Sequence, residues 1–312
     1  MIYLIGTGPM SQAYAQVLKF LKKDFIVIGR GEASAEKFNE VINVQPFVGG
    51  LDLFLKKHHF SNEDHVILAT GTEALMPTLK QVLISGAGSV LIEKPAALSI
   101  EELLENEKFL NPFADNIFVA YNRRFYASVQ EALKLIEADG GLESMHFEFT
   151  EWAHKIEPLV KAPGVKENWF FANSTHVVDL AFFIAGKPKH WNAYTLPGKL
   201  NWHPKTKFAG AGITEKGVLF SYNSNWESAG RWGIELMTYN RKIILKPLED
   251  VQIQMKGSID TAILNINHNH ELEFKPGLYN QIVSFLNNEK DSFTTMKEHI
   301  ENTNNIYKKM IH

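Results

Sequence analysis

A glycine-rich turn near the start of the chain is the first feature whose residue types could bind a ligand. It follows the apolar run 2–5 directly and precedes a helical pattern over residues 9–22. Its members are Gly6, Thr7, Gly8, Pro9, Met10 and Ser11. Glycines between a strand and a helix let backbone amides approach a pyrophosphate closely. The turn therefore predicts a dinucleotide site, with an ordinary tight turn as the alternative.

The end of the second apolar run, 25–28, indicates which dinucleotide would bind. An acidic residue at this place would accept a hydrogen bond from a ribose 2′-hydroxyl and repel a 2′-phosphate. Here Arg30 stands between two glycines, and Ser34 follows. A guanidinium and a hydroxyl both suit a phosphate, so NADP(H) is predicted to be preferred, with NAD(H) as a second dinucleotide that the site could accept. A solvated surface arginine is the alternative.

A lysine follows the apolar run 89–92, in the triplet Glu93-Lys94-Pro95. If the run is a strand of a parallel sheet, Lys94 lies at the carboxyl edge, where open α/β sheets bind their ligands. A cation there could stabilise negative charge that develops on a reacting oxygen. The triplet indicates a functional lysine, with a surface lysine as the alternative.

A histidine lies near the start of another helical pattern, which runs from about residue 174 to Gly186. Ser174 or Thr175 would cap this helix, and His176 would lie in its first turn. The positive end of the helix dipole favours a neutral imidazole, which can accept a proton from a hydroxyl. His176 is therefore a candidate general acid–base, with capping or packing as the alternative.

The period of the hydrophobic pattern changes along the chain, and this change indicates two domains that would position these residues. Up to residue 121, short apolar runs alternate with helical patterns, which predicts a parallel sheet with helices on both faces. After a helical pattern over 126–138 the period changes to two, as in residues 145–150, and further strand candidates follow with short turns. The fold class is therefore α/β plus α+β. An N-terminal Rossmann domain would span residues 1–121, and a domain on an open, mostly antiparallel mixed sheet with helices on one face would span residues 122–312.

The amino-acid composition indicates which classes of binding partner and which cysteine chemistry are not expected. The net charge of −3 in 312 residues gives no reason to expect nucleic acid, and the absence of cysteine excludes disulfides and thiolate chemistry. No apolar run reaches the roughly 18 residues of a membrane helix, and the first residues lack the basic flank of a signal peptide, so a cytoplasmic protein without a membrane partner is expected. His268 and His270 alternate, but no third ligand is evident, and no metal is expected.

The order and spacing of the motifs resemble one known family. The glycine turn, the triplet at Glu93, the segment Tyr-Asn-Arg-Arg-Phe at 121–125 and the pair His176 and Asp179 occur in one sequence. Together they look like the Gfo/Idh/MocA family, the glucose–fructose oxidoreductase and inositol dehydrogenase family. The resemblance covers nearly the whole chain.

The resemblance implies hydride transfer between a nicotinamide dinucleotide and a secondary alcohol or ketone of a sugar-like or sugar-nucleotide substrate. In that family the lysine of the Glu-Lys-Pro motif lies beside the nicotinamide and the substrate hydroxyl, so Lys94 is implied to be catalytic and cofactor-binding, with a cis bond to Pro95. His176 matches the family's acid–base histidine. Thr70 and Glu93 join the cofactor-binding set. The substrate-binding candidates are Asn122, Arg123, Trp169, Asn173 and His176.

One departure from the family motif affects the proton path. The motif usually reads Asp-x-Gly-x-His, whereas this chain has Ala172 and Ser174 before His176. Asn173 could bind a sugar hydroxyl but cannot exchange a proton at neutral pH, so Glu167 or Glu151 would have to compensate. The alternatives are a non-catalytic dinucleotide-binding or regulatory protein and a reductase of imine or pyrrole-type substrates. The resemblance also implies a homodimer or homotetramer that forms through the outer face of the second sheet.

Overall fold

The computed structural model describes residues 1–268 and 270–312. Within these residues, contacts divide the chain into two compact units. The first unit comprises Met1–Asn122 and Leu272–Glu301, and the second comprises Arg123–Glu271 and Asn302–His312. Each unit is built on a sheet of its own.

The first unit contains a doubly wound, mostly parallel sheet. In the described part of the chain its strands are β1 (Ile2–Ile5), β2 (Phe25–Gly29), β3 (Phe47–Val48), β4 (His65–Leu68), β5 (Ser89–Ile92), β6 (Ile117–Val119) and, late in the sequence, β15 (Thr294–Thr295). Their order is β15-β6-β5-β4-β1-β2-β3, and only β15 runs antiparallel to its neighbour. The direction of winding reverses between β1 and β4, which is where sheets of this kind bind ligands.

Helices surround the strands of the first unit. They are α1 (Pro9–Phe20), α2 (Glu32–Ile42), α3 (Gly50–Leu55), α4 (Leu75–Ile84), α5 (Ile100–Glu105), α6 (Glu107–Leu110), α10 (Leu278–Leu286) and α11 (Met296–Asn302). The central strands β1, β4 and β5 consist mainly of aliphatic residues that are almost wholly buried, as expected for strands covered on both faces.

Late in the sequence the chain returns to the first sheet, so the domain boundaries differ from those expected. A domain of residues 122–312 was expected, but residues 272–301 belong to the first unit. The reason is packing that is remote in sequence, because α10 lies on α1 and β15 pairs with the edge strand β6 in the register Thr294 to Val119. Phe20 of α1 contacts the rings of Phe274 and Tyr279 edge-on. A helical pattern in the sequence does not say against which sheet the helix packs.

The second unit contains the mostly antiparallel sheet. In the described residues its strands are β7 (Ser144–Glu148), β8 (Pro188–Leu196), β9 (Lys207–Thr214), β10 (Leu219–Asn225), β11 (Gly233–Met237), β12 (Arg241–Leu245), β13 (Gln252–Met255) and β14 (Thr261–Ile263). They are arranged in the order β14-β13-β12-β11-β7-β10-β9-β8, and β7 with β10 is the parallel pair among them.

Alternation along these strands defines the core of the second unit. In β10 Phe220 and Tyr222 are buried, whereas Leu219 and Ser221 between and beside them are exposed. The buried side chains pack with Phe147 of β7 and Phe182 of α9. The helices of the unit are α7 (Ala127–Ala138), α8 (Ala153–Ile156), α9 (Thr175–Ala185) and α12 (Lys308–Ile311), with π-helical segments at Phe170–Ser174 and Thr303–Tyr307. The predicted fold class is confirmed.

The described residues include no helix that is both long enough and apolar enough to cross a membrane.

Candidate functional site

The glycine turn has the close packing that its sequence predicts. Gly6 has a φ of +121°, and a Cβ atom there would lie 2.3 Å from the carbonyl oxygen of Ala69. Ser11, at the position where glycine or alanine is usual, is fully buried, and its hydroxyl donates to the same carbonyl at 3.1 Å. The turn accepts serine because this hydrogen bond satisfies the buried hydroxyl.

Gly8 has a different role in the same turn. It precedes α1, which begins at Pro9, and its φ of −78° is one that any residue can adopt. A Cβ atom at Gly8 would meet no other atom within 4 Å. The fold therefore does not require glycine at this position, whereas the close approach of a phosphate to the start of the helix would.

Arg30 follows β2 on the surface, next to Gly50. Among the described residues no carboxylate forms an ion pair with its guanidinium. The Thr7 hydroxyl donates to Ser34 Oγ at 3.1 Å, and the Ser34 hydroxyl donates to the Gly31 carbonyl at 2.9 Å. These bonds connect the glycine turn to the loop that carries Arg30, so one continuous surface presents amides, hydroxyls and a cation. The Lys275 ammonium donates a hydrogen bond to the Met10 sulfur atom at 2.9 Å.

The loop after β5 is fixed on both sides of Lys94. The Lys94–Pro95 bond is cis, as expected, and the buried Ala96 has a φ of +70°. Glu93 Oε1 accepts a hydrogen bond from the Tyr14 hydroxyl at 2.8 Å, and His299 Nε2 donates to the Pro95 carbonyl at 2.9 Å. Burial, and then the proximity of Glu93, raises the pKa of Tyr14 well above its usual value, so the phenol remains a donor.

Tyr14 of α1 and His299 of α11 were not among the residues predicted from sequence. Their helical patterns give no sign that their polar atoms reach this loop. Two residues of the first unit that were expected to bind cofactor or substrate contact backbone carbonyls of the same unit. The Thr70 hydroxyl lies 3.4 Å from the Gly71 carbonyl, and the Asn122 amide donates to the Pro276 carbonyl at 3.0 Å. Asn122 therefore anchors the returning segment of the first unit.

In the second unit, the helix that carries His176 begins differently from the prediction. Ser174 does not cap it, because its backbone is helical and residues 170–174 form a π-helical segment that continues into α9. The Ser174 hydroxyl donates to Glu151, and the Thr175 hydroxyl donates to the Phe171 carbonyl at 2.8 Å. Because helical backbone extends through this segment into α9, His176 is not in the first turn of the combined helix, and the helix dipole does not account for a neutral imidazole. Single π-helical turns often occur at functional sites.

The neutral form of His176 has a different physical basis. Arg123 Nη1 lies 2.8 Å from His176 Nε2, and the histidine is only 4% exposed. Because a guanidinium can only donate hydrogen bonds, Nε2 accepts, and the neutral imidazole carries its proton at Nδ1. The next residue, Arg124, forms a buried two-point ion pair with Asp179 at 2.7 and 2.8 Å. Two consecutive arginines thus fix α9, and Asp179 is structural.

Glu151 is the carboxylate that the structure brings to the altered motif. It is 1% exposed and accepts hydrogen bonds from the Ser174 hydroxyl at 2.8 Å and the Asn173 amide at 3.0 Å. Burial raises the pKa of Glu151, although these bonds and Arg231 oppose the shift. Glu167, the other carboxylate considered, is exposed. Trp169 is buried and lies edge-on to Trp202 at 6.4 Å.

The raised pKa of Glu151 makes its contribution to stability depend on pH. The folded protein holds this proton more tightly than the unfolded chain does. The free energy of unfolding should therefore fall as pH rises from about the ordinary value of 4.5 through the folded pKa. Glu151→Gln cannot titrate, so its stability relative to wild type should increase over that window. Urea denaturation at several pH values measures this difference.

The exposed Glu137 of α7 supplies the control variant, Glu137→Gln, for these measurements. A stability difference between Glu151→Gln and wild type that does not change with pH would contradict the assignment.

No metal site is formed by the histidines that alternate near the end of the second unit. His268 lies 3.7 Å from the Glu271 carboxylate. The part of the chain that the structure describes contains no group of three histidine, aspartate or glutamate side chains placed to hold a metal ion.

Several solved structures with the same fold are oxidoreductases. A complex of levoglucosan dehydrogenase with NADH and levoglucosan matches with a TM-score of 0.74 and 15% identity, covering 99% of this chain and 96% of that one. An oxidoreductase from Agrobacterium radiobacter, in complex with NAD+, L-tartaric acid and magnesium, gives 0.75 and 13%, covering 99% and 95%. UDP-N-acetylglucosamine 3-dehydrogenase from Acidithiobacillus ferrooxidans gives 0.69 and 13%, covering 99% and 96%.

In sequence, no protein-family model and no curated protein matches the chain. At these identities the similarity concerns the fold. The neighbours confirm the resemblance recognised in the motifs at that level: the chain has the fold of oxidoreductases of the Gfo/Idh/MocA type.

Proposed function

We propose that the protein is a nicotinamide-dependent oxidoreductase that acts on a secondary alcohol or ketone of a sugar-like substrate, including sugar nucleotides. The observation that carries the proposal is the glycine turn at the point where the winding of the first sheet reverses. Gly6 cannot carry a side chain, and the space at Gly8 is open in front of α1. The structural neighbours that contain NADH or NAD+ support the same assignment.

The residues of the first unit fit a dinucleotide. The amides of the turn and the start of α1 suit a pyrophosphate, and Arg30 suits a 2′-phosphate, so we assign a preference for NADP(H). The proposed cofactor-binding set consists of Gly6, Thr7, Gly8, Pro9, Met10, Arg30, Thr70, Glu93 and Lys94. When bound, a nicotinamide dinucleotide supplies or accepts a hydride. Tyr14 and His299 act through the loop and are positioning residues.

Lys94 and His176 have separate roles in this proposal. The Lys94 ammonium would hydrogen-bond the reacting oxygen and stabilise the alkoxide-like charge that builds on it. His176 would take the hydroxyl proton at Nε2 after the substrate hydroxyl has replaced Arg123 Nη1 as the hydrogen-bond donor to that atom, whose single lone pair otherwise accepts from Arg123. Protonation at Nε2 would place an imidazolium beside a guanidinium, which favours onward release of the proton. Asn173 and Glu151 would orient the π-helical segment that precedes His176. Asn122 and Trp169 would have supporting roles in binding the substrate.

A second candidate function is a dinucleotide-binding protein without catalysis. It is favoured by Ala172, because no carboxylate stands in the family's place before His176 and the nearby Glu151 is already bonded by Asn173 and Ser174. A reductase of imine or pyrrole-type substrates would likewise not need that carboxylate.

A screen with product identification separates these candidates. The purified protein is mixed with NADP+ or NAD+ and a panel of sugars, sugar acids and sugar nucleotides, and products are identified by mass spectrometry. Formation of a keto sugar with an equal amount of reduced dinucleotide is expected. Reduction of imines alone would favour the third class, and dinucleotide binding without turnover of any substrate would favour the second.

We also propose that the chain forms a homodimer or homotetramer through the outer face of the second sheet. That face presents exposed apolar side chains, including Tyr194, Leu196 and Leu219, and a shallow depression between β7, β9 and β10. Exposed apolar side chains on one face of a sheet are consistent with a protein interface there. Sedimentation equilibrium should give two or four times the chain mass of 35.4 kDa; a mass of one chain would contradict this part of the proposal.

A further inference from the structure

A stack of alternating tryptophan and arginine side chains lies in the second unit. The Arg231 guanidinium is 4.7 Å from the ring centre of Trp152 on one side and 4.6 Å from that of Trp232 on the other. The Arg123 guanidinium is 5.1 Å from the Trp232 ring. The contacts therefore run Trp152, Arg231, Trp232, Arg123, with a guanidinium held between two aromatic rings.

Such a stack orders a guanidinium without using its hydrogen-bond donors. Aromatic faces attract the cation through the ring quadrupole, and the planar guanidinium keeps its five N–H groups at its edges. The Trp152 indole donates to the Gly230 carbonyl at 2.9 Å, which fixes that ring to the segment that carries Arg231. Arg231 is thus a preorganised donor on a surface, since 40% of its side chain is exposed.

The stack ends next to the proposed proton acceptor. Arg123 lies 2.8 Å from His176 Nε2, and the ring centres of His176 and Trp232 are 6.1 Å apart. Trp232 is 6% exposed, and its indole nitrogen has no hydrogen-bond partner among the described residues. The Arg231 guanidinium and His176 are therefore both neighbours of the Trp232 ring.

The charge of Arg231 is only weakly balanced. Its nearest carboxylate oxygen is Glu151 Oε2 at 3.6 Å, beyond hydrogen-bond distance. The Glu151 oxygens already accept hydrogen bonds from Asn173 and Ser174, and burial raises the pKa of this carboxyl. A structural ion pair would have the short two-point geometry that Arg124 and Asp179 show. Arg231 instead has donors that a ligand anion could use.

We propose that Arg231, held between Trp152 and Trp232, binds an anionic group of the substrate, a carboxylate or a phosphate, beside His176. The proposal rests on the proposed function, because it specifies the substrate as a sugar acid or a phosphorylated sugar. Both groups present oxygens that a guanidinium can hold at two points. The diphosphate of a sugar nucleotide belongs to the same chemistry.

Equilibrium binding tests this subsite without any need for turnover. Isothermal titration of the full chain with NADP+ present would use glucuronate, glucose 6-phosphate and neutral glucose as probes. At least one acid should bind about tenfold or more tightly than glucose, and Arg231→Gln should weaken that acid by about tenfold to 100-fold while glucose is unaffected. A response to glucuronate alone identifies a carboxylate site, and a response to glucose 6-phosphate alone identifies a phosphate site.

The matched control is Lys256→Gln, which removes a cation 3.6 Å from the ring centre of the exposed Tyr239 in the same unit. It should leave the affinity for the acids unchanged. Arg231→Lys, which keeps the charge but loses the planar donors, should give an intermediate loss. Equal thermal unfolding midpoints of the three variants would exclude misfolding as the cause.

The proposal is overturned if neither acid binds more tightly than glucose, or if Arg231→Gln and Lys256→Gln have the same effect. Failure of the proposed function looks different. Acids that bind through Arg231 without hydride transfer from any probe to NADP+ would refute the enzyme and retain the anion site. Oxidation of neutral sugars without preference for the acids would do the reverse.

Discussion

Lys94→Met is expected to lower kcat by about 10²–10³-fold on a substrate identified by the screen, because the substitution removes a donor to the oxygen on which charge develops. Methionine keeps the unbranched apolar stem, so the loop after β5 should fold normally. Lys94 would contact the dinucleotide only at its nicotinamide end, so the affinity for the dinucleotide should change by less than about threefold, since the pyrophosphate site lies at the glycine turn. Steady-state kinetics and a dinucleotide titration measure the two effects separately.

The control for this variant is Lys80→Met, a lysine of α4 whose ammonium lies 5.8 Å from the Phe109 ring centre. It removes the same charge from the first unit and should retain wild-type kcat. Full turnover by Lys94→Met would contradict the assigned role. The anchors at Glu93 and Pro95 explain why a single lysine can have a large effect, because they restrict the loop on both sides of it.

Arg30→Glu is expected to weaken NADPH binding by about 100-fold, since it removes charge-assisted hydrogen bonds to a 2′-phosphate and adds a like charge. NADH, which lacks that phosphate, should lose less than about threefold or bind more tightly. Fluorescence titration with each dinucleotide measures both affinities.

Lys37→Glu serves as the matched control because it makes the same charge change on an exposed residue of α2. It should affect the two dinucleotides alike. If Arg30→Glu left NADPH affinity unchanged, Arg30 would be a solvated surface residue, and the preference for NADP(H) would have no basis in this loop.

Local patterns in the sequence predicted the first sheet well. The runs 2–5 and 89–92 are strands with those bounds, and the glycine turn between β1 and α1 has the expected geometry. These features depend on neighbouring residues, because a buried parallel strand needs a short aliphatic run and the turn needs glycine at a positive φ. The second sheet was harder to predict, because the sequence of β9 shows a strand pattern only over residues 212–214, although the strand begins at Lys207.

Two glycines in β9 explain why the sequence pattern does not show the full length of this strand. Gly210 and Gly212 weaken a strand pattern, yet the structure requires them. A Cβ atom at Gly210 would lie 2.5 Å from the Tyr222 ring, and one at Gly212 would lie 2.2 Å from Trp191 Cβ. The large side chains of β10 and β8 therefore occupy the space, and this compensation between strands is visible only once the strands are paired.

Polar partners that are distant in sequence could not be predicted either. Ser174 was expected to cap α9, but its hydroxyl bonds Glu151, which is 23 positions away in sequence. The spacing of Arg231 and Trp152 likewise gives no sign of their contact. Where a hydrogen bond or a stacked ring comes from a remote segment, local propensity does not decide the outcome.

The measurement that tests the central claim most directly is a titration of the purified chain with NADPH and with NADH, following tryptophan quenching and nicotinamide fluorescence. Both should bind saturably, NADPH more tightly. Gly8→Ala should keep the thermal unfolding midpoint, because its methyl group meets no atom within 4 Å, and should weaken binding by about tenfold or more, because the pyrophosphate must approach that position. Absence of binding by either dinucleotide, or full binding by Gly8→Ala, would contradict the account.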